Sequence, residues 1–93
     1  MKAIWHGVVV AESDDTVVFE GEHYFPQASL KREYTLGSNM RSMCSTKGPA
    51  TYLSLFVDGD VLPDAVRLHA EPGEAAEAIR DRCVFARGVA IED

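Results

Sequence analysis

The stretch Asn39–Val57, NMRSMCSTKGPATYLSLFV, reads as strand, tight loop, strand, because Gly48 and Pro49 force a turn between two strand-forming runs. With Cys44 set opposite Tyr52, Ser42 faces Ser54 and Met40 faces Phe56, since strand side chains repeat every two residues. That face holds a thiol, a phenol, two hydroxyls, Met and Phe, and is mixed enough to line a pocket. The other face, Arg41, Met43, Leu53, Leu55 and Val57, reads as core. A slip of one residue would exchange the two faces.

Turn residues cut the rest of the chain into similarly short pieces. Lys2–Ala11 is rich in Trp, Ile and Val and reads as a first strand bent at Gly7. Glu12–Asp15 is a turn, and Thr16–Glu20 pairs back as a second strand. Gly21-Glu22 turns again before a short aromatic run, His23–Pro26. Phe25 precedes proline and is therefore extended. Gln27–Glu33 admits one helical turn, Tyr34–Leu36 a short strand, and Gly37-Ser38 a break. Asp58-Gly59 between apolar flanks is the strongest local hairpin signal. Asp64–His69 is a further strand, Glu74–Arg80 a helix with acids at its start and Arg80 at its end, and Cys83–Ile91 a last strand with a bulge or turn at Gly88. Many short strands and one late, short α-helix predict a mainly β domain spanning residues 1–93.

The net charge of −6 with scattered bases argues against nucleic acid and anionic membranes, which both select clustered Lys and Arg. Trp5, His6 and Gly7 interrupt any signal-peptide core, and no apolar run approaches a membrane span. The expected compartment is the cytoplasm, where Cys44 and Cys83 stay thiols. His6, His23, His69 and the two cysteines show no paired spacing, so no metal site and no cofactor is expected. Lys47-Gly48 lacks the glycine-rich run of a phosphate loop. Asp58 and Asp60 flank a hairpin glycine, and turn chemistry accounts for them.

One constellation carries chemistry. Cys44 and Lys47 are three apart in a turning loop, which brings an ammonium towards a thiol and favours the thiolate, the reactive form. Tyr52 is a hydrogen-bond donor beside them, and His69 or His23 a candidate base. Free cysteine is also among the most buried residue types, so a packing role stands beside the reactive one. Trp5, Tyr24, Phe25 and Phe85 suit either a pocket wall or a small core.

The ordered set Trp5-x-Gly7, Gly21-x-x-Tyr24-Phe25-Pro26, Cys44-x-x-Lys47-Gly48-x-Ala50-x-Tyr52, Asp58-Gly59, Asp64-Ala65, Glu71-Pro72 and Val84-Phe85 resembles the domain of unknown function family 427 over nearly the whole chain. The resemblance implies a small, mostly β fold similar to the Mss4-like or β-tent architecture, without its zinc-binding cysteine pairs. It implies no reaction, and the nucleotidyltransferase label sometimes given to the family has no support in these residues. The family's shared polar and aromatic positions fall on Trp5, Tyr24, Cys44, Lys47 and Tyr52. Where the family usually carries Trp-x-Tyr, this chain has Val66-Arg67-Leu68-His69, and Ser45 and Thr46 replace a frequent proline and aromatic. The resemblance thus implies a more open and polar pocket, with Arg67 and His69 added to it.

Two functions are carried forward. The first is a small-molecule-binding protein or enzyme with Cys44, Lys47, Tyr52 and His69 at its centre and Trp5, His23, Tyr24, Ser42, Ser54 and Arg67 as ligand contacts. The second is a non-catalytic accessory or protein-interaction domain in which Cys44 is structural. Substrate, reaction and oligomeric state are not encoded in any motif.

Overall fold

Three two-residue turns, His6-Gly7, Glu20-Gly21 and Asp58-Gly59, have positive φ at both positions, between 52° and 83°. Both residues of a type I′ turn lie in this region, and its twist matches that of the flanking strands. They close β1 (Lys2–Trp5) on β2 (Val8–Glu12), β3 (Val17–Phe19) on β4 (Glu22–Pro26), and β6 (Gly48–Val57) on β7 (Asp60–His69). The computed structural model describes residues 1–93. Its other strands are β5 (Thr35–Cys44), β8 (Arg82–Phe85) and β9 (Ala90–Glu92).

All pairings are antiparallel and form two sheets, one of three strands in the order β2-β1-β9 and one of six in the order β3-β4-β8-β7-β6-β5. The mainly β class read from the sequence is the class observed. Several elements differ in detail. Lys2–Ala11 is a hairpin and not one bent strand, and Val17–Phe19 pairs with β4 and not with the first strand. Tyr34–Leu36 is no separate strand: β5 runs on through Gly37 with an irregularity between Gly37 and Arg41. The last strand is two, which separate at Gly88 (φ +105°) and join different sheets. The late helix is present as 3-10 turns over Glu74–Ile79, broken at Ala76 (φ −120°), and is not α-helical. A stretch of six residues is too short for a stable α-helix, and packing of Ala76 and Ile79 holds it instead.

The central hairpin closes earlier than expected. Cys44 pairs with Gly48 and not Tyr52, leaving Ser45, Thr46 and Lys47 as the loop. Gly48 has φ +75°, which ends the loop at once. Its partner has moved by four positions, an even number, so Ser42, Cys44 and Tyr52 keep their common face although their pairs change, whereas Met40 falls in the irregularity before Arg41 without a partner, and Arg41 and Met43, read as core, are exposed at the sheet edge.

The small sheet covers one face of the large one. Ala3, Val10 and Ala11 meet Phe25, Val66, Leu68, Cys83 and Phe85 in the main core, and Phe25 and Phe85 stack edge to face at 5.4 Å. The Lys31 N–H donates to the Val10 carbonyl at 2.8 Å and ties the edge of the small sheet to the connection before β5. On the opposite face, Tyr24, Val84, Ala76 and Ile79 form a second cluster under the 3-10 segment. No helix is long and apolar enough to cross a membrane.

Candidate functional site

Beyond that second cluster, the same face of the six-stranded sheet turns polar. The register that sets Phe25 beside Cys83 places Tyr24 beside Val84, then Arg67, then Tyr52, in one row across β4, β8, β7 and β6. Ser42 extends the row onto β5, its Oγ 2.9 Å from the Tyr52 Oη. Six residues singled out in the sequence, Tyr24, Ser42, Cys44, Tyr52, Arg67 and His69, therefore share this face, and Lys47 reaches over it.

Arg67 is the hub. Its Nη2 donates to Glu22 Oε1 and to Tyr24 Oη, each at 3.3 Å, and its Nε donates to His69 Nε2 at 3.0 Å. A guanidinium is always protonated, so His69 Nε2 must accept, which fixes the neutral tautomer with the proton on Nδ1. His69 is only 1 % exposed. Burial, followed by the charges of Arg67 and Lys47, holds its pKa below the ordinary value of 6.5, against the backbone of Lys47 and Pro49. Its accepting nitrogen is occupied, so His69 orients Arg67 and is not poised as a base towards an incoming ligand.

The Lys47 side chain is only 13 % exposed, and its Nζ meets Glu20 Oε1 at 2.9 Å. The Glu20 hydrogen bond raises its pKa. Both cations on this face are thus anchored by acids from the β3–β4 hairpin, Glu20 in its turn and Glu22 in its strand. Neither glutamate was a candidate from sequence, because only strand pairing brings them near residues 47 and 67.

The Cys44 sulfur sits against its own turn. The backbone N–H groups of Lys47 and Thr46 hold its pKa below the ordinary thiol value, partial burial opposes them, and the Lys47 ammonium adds a smaller push. Proximity to the ammonium was the expected cause; the turn amides contribute more. The turn is clamped from outside, since the Gly73 N–H donates to the Thr46 carbonyl at 3.1 Å and a Cβ on Gly48 would run into the Glu71 carbonyl. Cys83 lies at the opposite extreme, fully buried in the main core with its pKa pushed up to about 12 by desolvation.

A cleft of about 240 Å³ opens beside this row, walled by Tyr52, Arg67, Glu22, Asp64 and Phe85. That is smaller than a drug-sized site and suits a ligand of few heavy atoms. Asp64 has φ +52°, accepts a hydrogen bond from Ser38 Oγ, and donates its N–H to Ser54 Oγ at 3.0 Å. Ser54 is therefore consumed in holding the irregularity where β6 and β7 shift register between Leu53 and Leu55.

Two further candidates lie elsewhere. Trp5 packs against the main core with its ring 5.3 Å from that of His6. His23, next to Tyr24 on β4, points to the other side of the strand and lines a separate cleft with Phe85 and Ile91. No group of three or more His, Cys, Asp or Glu side chains converges to hold a metal ion.

A family model described as Domain of unknown function (DUF427) matches residues 1–92. No curated protein matches the chain.

Proposed function

We propose, from the premise that the chain belongs to the DUF427 family, that it is a small-molecule-binding protein whose site is the polar sheet face around Cys44, Lys47 and Tyr52, with Cys44 as a reactive thiolate. The observation that carries this reading is the Cys44 turn: the backbone N–H donors of Lys47 and Thr46 are the first causes of the thiol's lowered pKa, and the Lys47 ammonium, anchored by Glu20, adds to them. A thiol kept only for packing needs no such donors, and Cys83 shows what a packing thiol looks like here. In this reading Arg67 and Lys47 attract a small polar or anionic ligand, and the Tyr52 hydroxyl, shared with Ser42, hydrogen-bonds it. We read the two-sheet architecture as β-tent, or Mss4-like, and place the protein in the cytoplasm, where a thiolate remains reduced.

A second reading is a protein-interaction domain. It draws on Leu36, Phe56 and Val61, which share the far end of the polar face and are 45 %, 41 % and 47 % exposed. Iodoacetamide labelling against pH, mapped by mass spectrometry, separates the two. The binding reading expects Cys44 to label with a midpoint below that of an ordinary thiol; an ordinary midpoint would make Cys44 structural and promote the interaction reading.

A further inference from the structure

The opposite face of the same hairpin carries a second groove, which meets the thiol site only at Tyr52. It is about 410 Å³ and lies over β5 and β6, on the side where Thr51 pairs with Leu68 and with Arg41. Arg32 and Arg41 both line it, with Gln27 and Thr51 beside them and Leu53 and Leu68 among its apolar lining. No carboxylate is among its lining residues.

That absence matters in a chain of net charge −6. Lys47, Arg67, Arg80 and Arg82 each meet an acid within 4.0 Å, whereas Arg32 and Arg41 meet none. Arg41 is nonetheless held, because its Nη1 donates to the carbonyls of Met40 at 2.8 Å and Ser38 at 3.4 Å. Those bonds occupy one nitrogen and leave Nη2 and Nε. Arg32 makes no hydrogen bond through its side chain, and neither do Gln27 and Thr51. Two guanidiniums without a carboxylate partner, with an amide and a hydroxyl that make no side-chain hydrogen bond, set over leucines, make a donor-rich rim on an apolar floor.

We propose that this groove is a second binding site, for a small organic oxyanion: a phosphate or carboxylate on a compact apolar body. The anion bridges Arg32 and Arg41, whose planar forks match two oxygens each. Thr51 and Gln27 donate to the remaining oxygens, and the apolar part rests on Leu53 and Leu68. The site is independent of Cys44, which faces away from it.

The test is a titration of the full chain with phenyl phosphate and, separately, inorganic phosphate, followed by amide chemical shifts at constant ionic strength. Saturable shifts at Thr51, Leu53 and Leu68, with phenyl phosphate binding more tightly than phosphate, are expected. Arg32→Gln and Arg41→Gln should each weaken phenyl phosphate about tenfold, as loss of one charge-assisted pair does. Lys31→Gln removes the same charge from the neighbouring residue, which is outside the groove, and should change affinity little. Absence of saturation, equal weakening by Lys31→Gln, or shifts confined to Glu22, Arg67 and their neighbours on the other face would overturn the proposal. Thr51→Val, which removes no charge and no buried contact, should weaken binding by a smaller factor, and an unchanged affinity would count against the assigned geometry.

Discussion

The two cysteines give the sharpest contrast between neighbouring chemistries in this chain. Cys44 should alkylate well before Cys83, whose pKa of about 12 keeps it a thiol at any neutral pH. Lys47→Met tests which part of the turn matters. The substitution removes the ammonium but keeps the backbone N–H, the larger influence, so the Cys44 labelling midpoint should rise only part of the way to an ordinary thiol. A full return to the ordinary midpoint would assign the effect to the charge. His69 supplies a second residue-level prediction. Its folded pKa lies below its unfolded value of 6.5, so below that pH the unfolded chain binds a proton that the folded chain refuses. This contribution to stability is complete above pH 6.5 and is lost as pH falls from there towards the folded pKa. Urea midpoints at pH 7.5 and 5.5 should therefore drop for the native protein and drop less for His69→Gln. Equal drops would mean that His69 titrates normally.

At the scale of elements, the hairpin that holds Cys44 depends on one glycine more than on any side chain. Gly48 and Gly59 both have positive φ, but a Cβ at Gly59 meets nothing within 4 Å, while one at Gly48 collides with the Glu71 backbone. Gly59→Ala should cost about 1–2 kcal/mol, the left-handed penalty alone. Gly48→Ala should cost more and should also raise the Cys44 labelling midpoint, because displacing the turn moves the amides of Thr46 and Lys47. Equal melting temperatures for the two variants would show that the clamp at Glu71 yields. The same hairpin shows what the sequence could and could not convey. Gly48-Pro49 marked the bend, and two-residue alternation marked the faces, so Ser42, Cys44 and Tyr52 were grouped correctly on an incorrect register. Register was not legible because it is fixed by loop closure at Cys44 and Gly48 and by the irregularity after Gly37, both tertiary outcomes. His6-Gly7 and Glu20-Gly21 escaped notice as hairpin turns because neither His nor Glu is a favoured first residue of a type I′ turn, unlike the Asp of Asp58-Gly59. Missing the second of these hid Glu20 and Glu22, and with them the anchors of Lys47 and Arg67. The 3-10 segment was legible as helical but not by type, and its hold on the sheet rests on Ile79. That side chain is fully buried against Tyr24 and Val84, so Ile79→Ala should cost about 2–4 kcal/mol in denaturant unfolding, and a loss below 1 kcal/mol would mean the segment is a loose flap.

The whole molecule distributes its charge so that local positive ground survives within a negative field. Four of its nine Lys and Arg side chains are spent on acids, two of them, Lys47 and Arg67, over the polar face of the large sheet. Of the five that remain, Lys2, Lys31, Arg32, Arg41 and Arg87, only Arg32 and Arg41 line one groove, on the opposite face. A small anion needs only that groove. An oligonucleotide needs a track of cations matching its phosphate spacing, and each phosphate outside the groove would meet a surface whose net charge is −6. Two neutralised phosphates give a salt slope of about 2 at most, far from the steep dependence of nucleic-acid-binding domains. The expected outcome is that phenyl phosphate binds while a fluorescent single strand or duplex shows no anisotropy change at physiological salt. Lowering the salt should bring out at most weak binding, abolished by Arg41→Gln. Micromolar oligonucleotide affinity at physiological salt, surviving that substitution, would mean that the molecule presents a basic surface somewhere other than this groove, and the assignment of both sheet faces to small ligands would have to be abandoned.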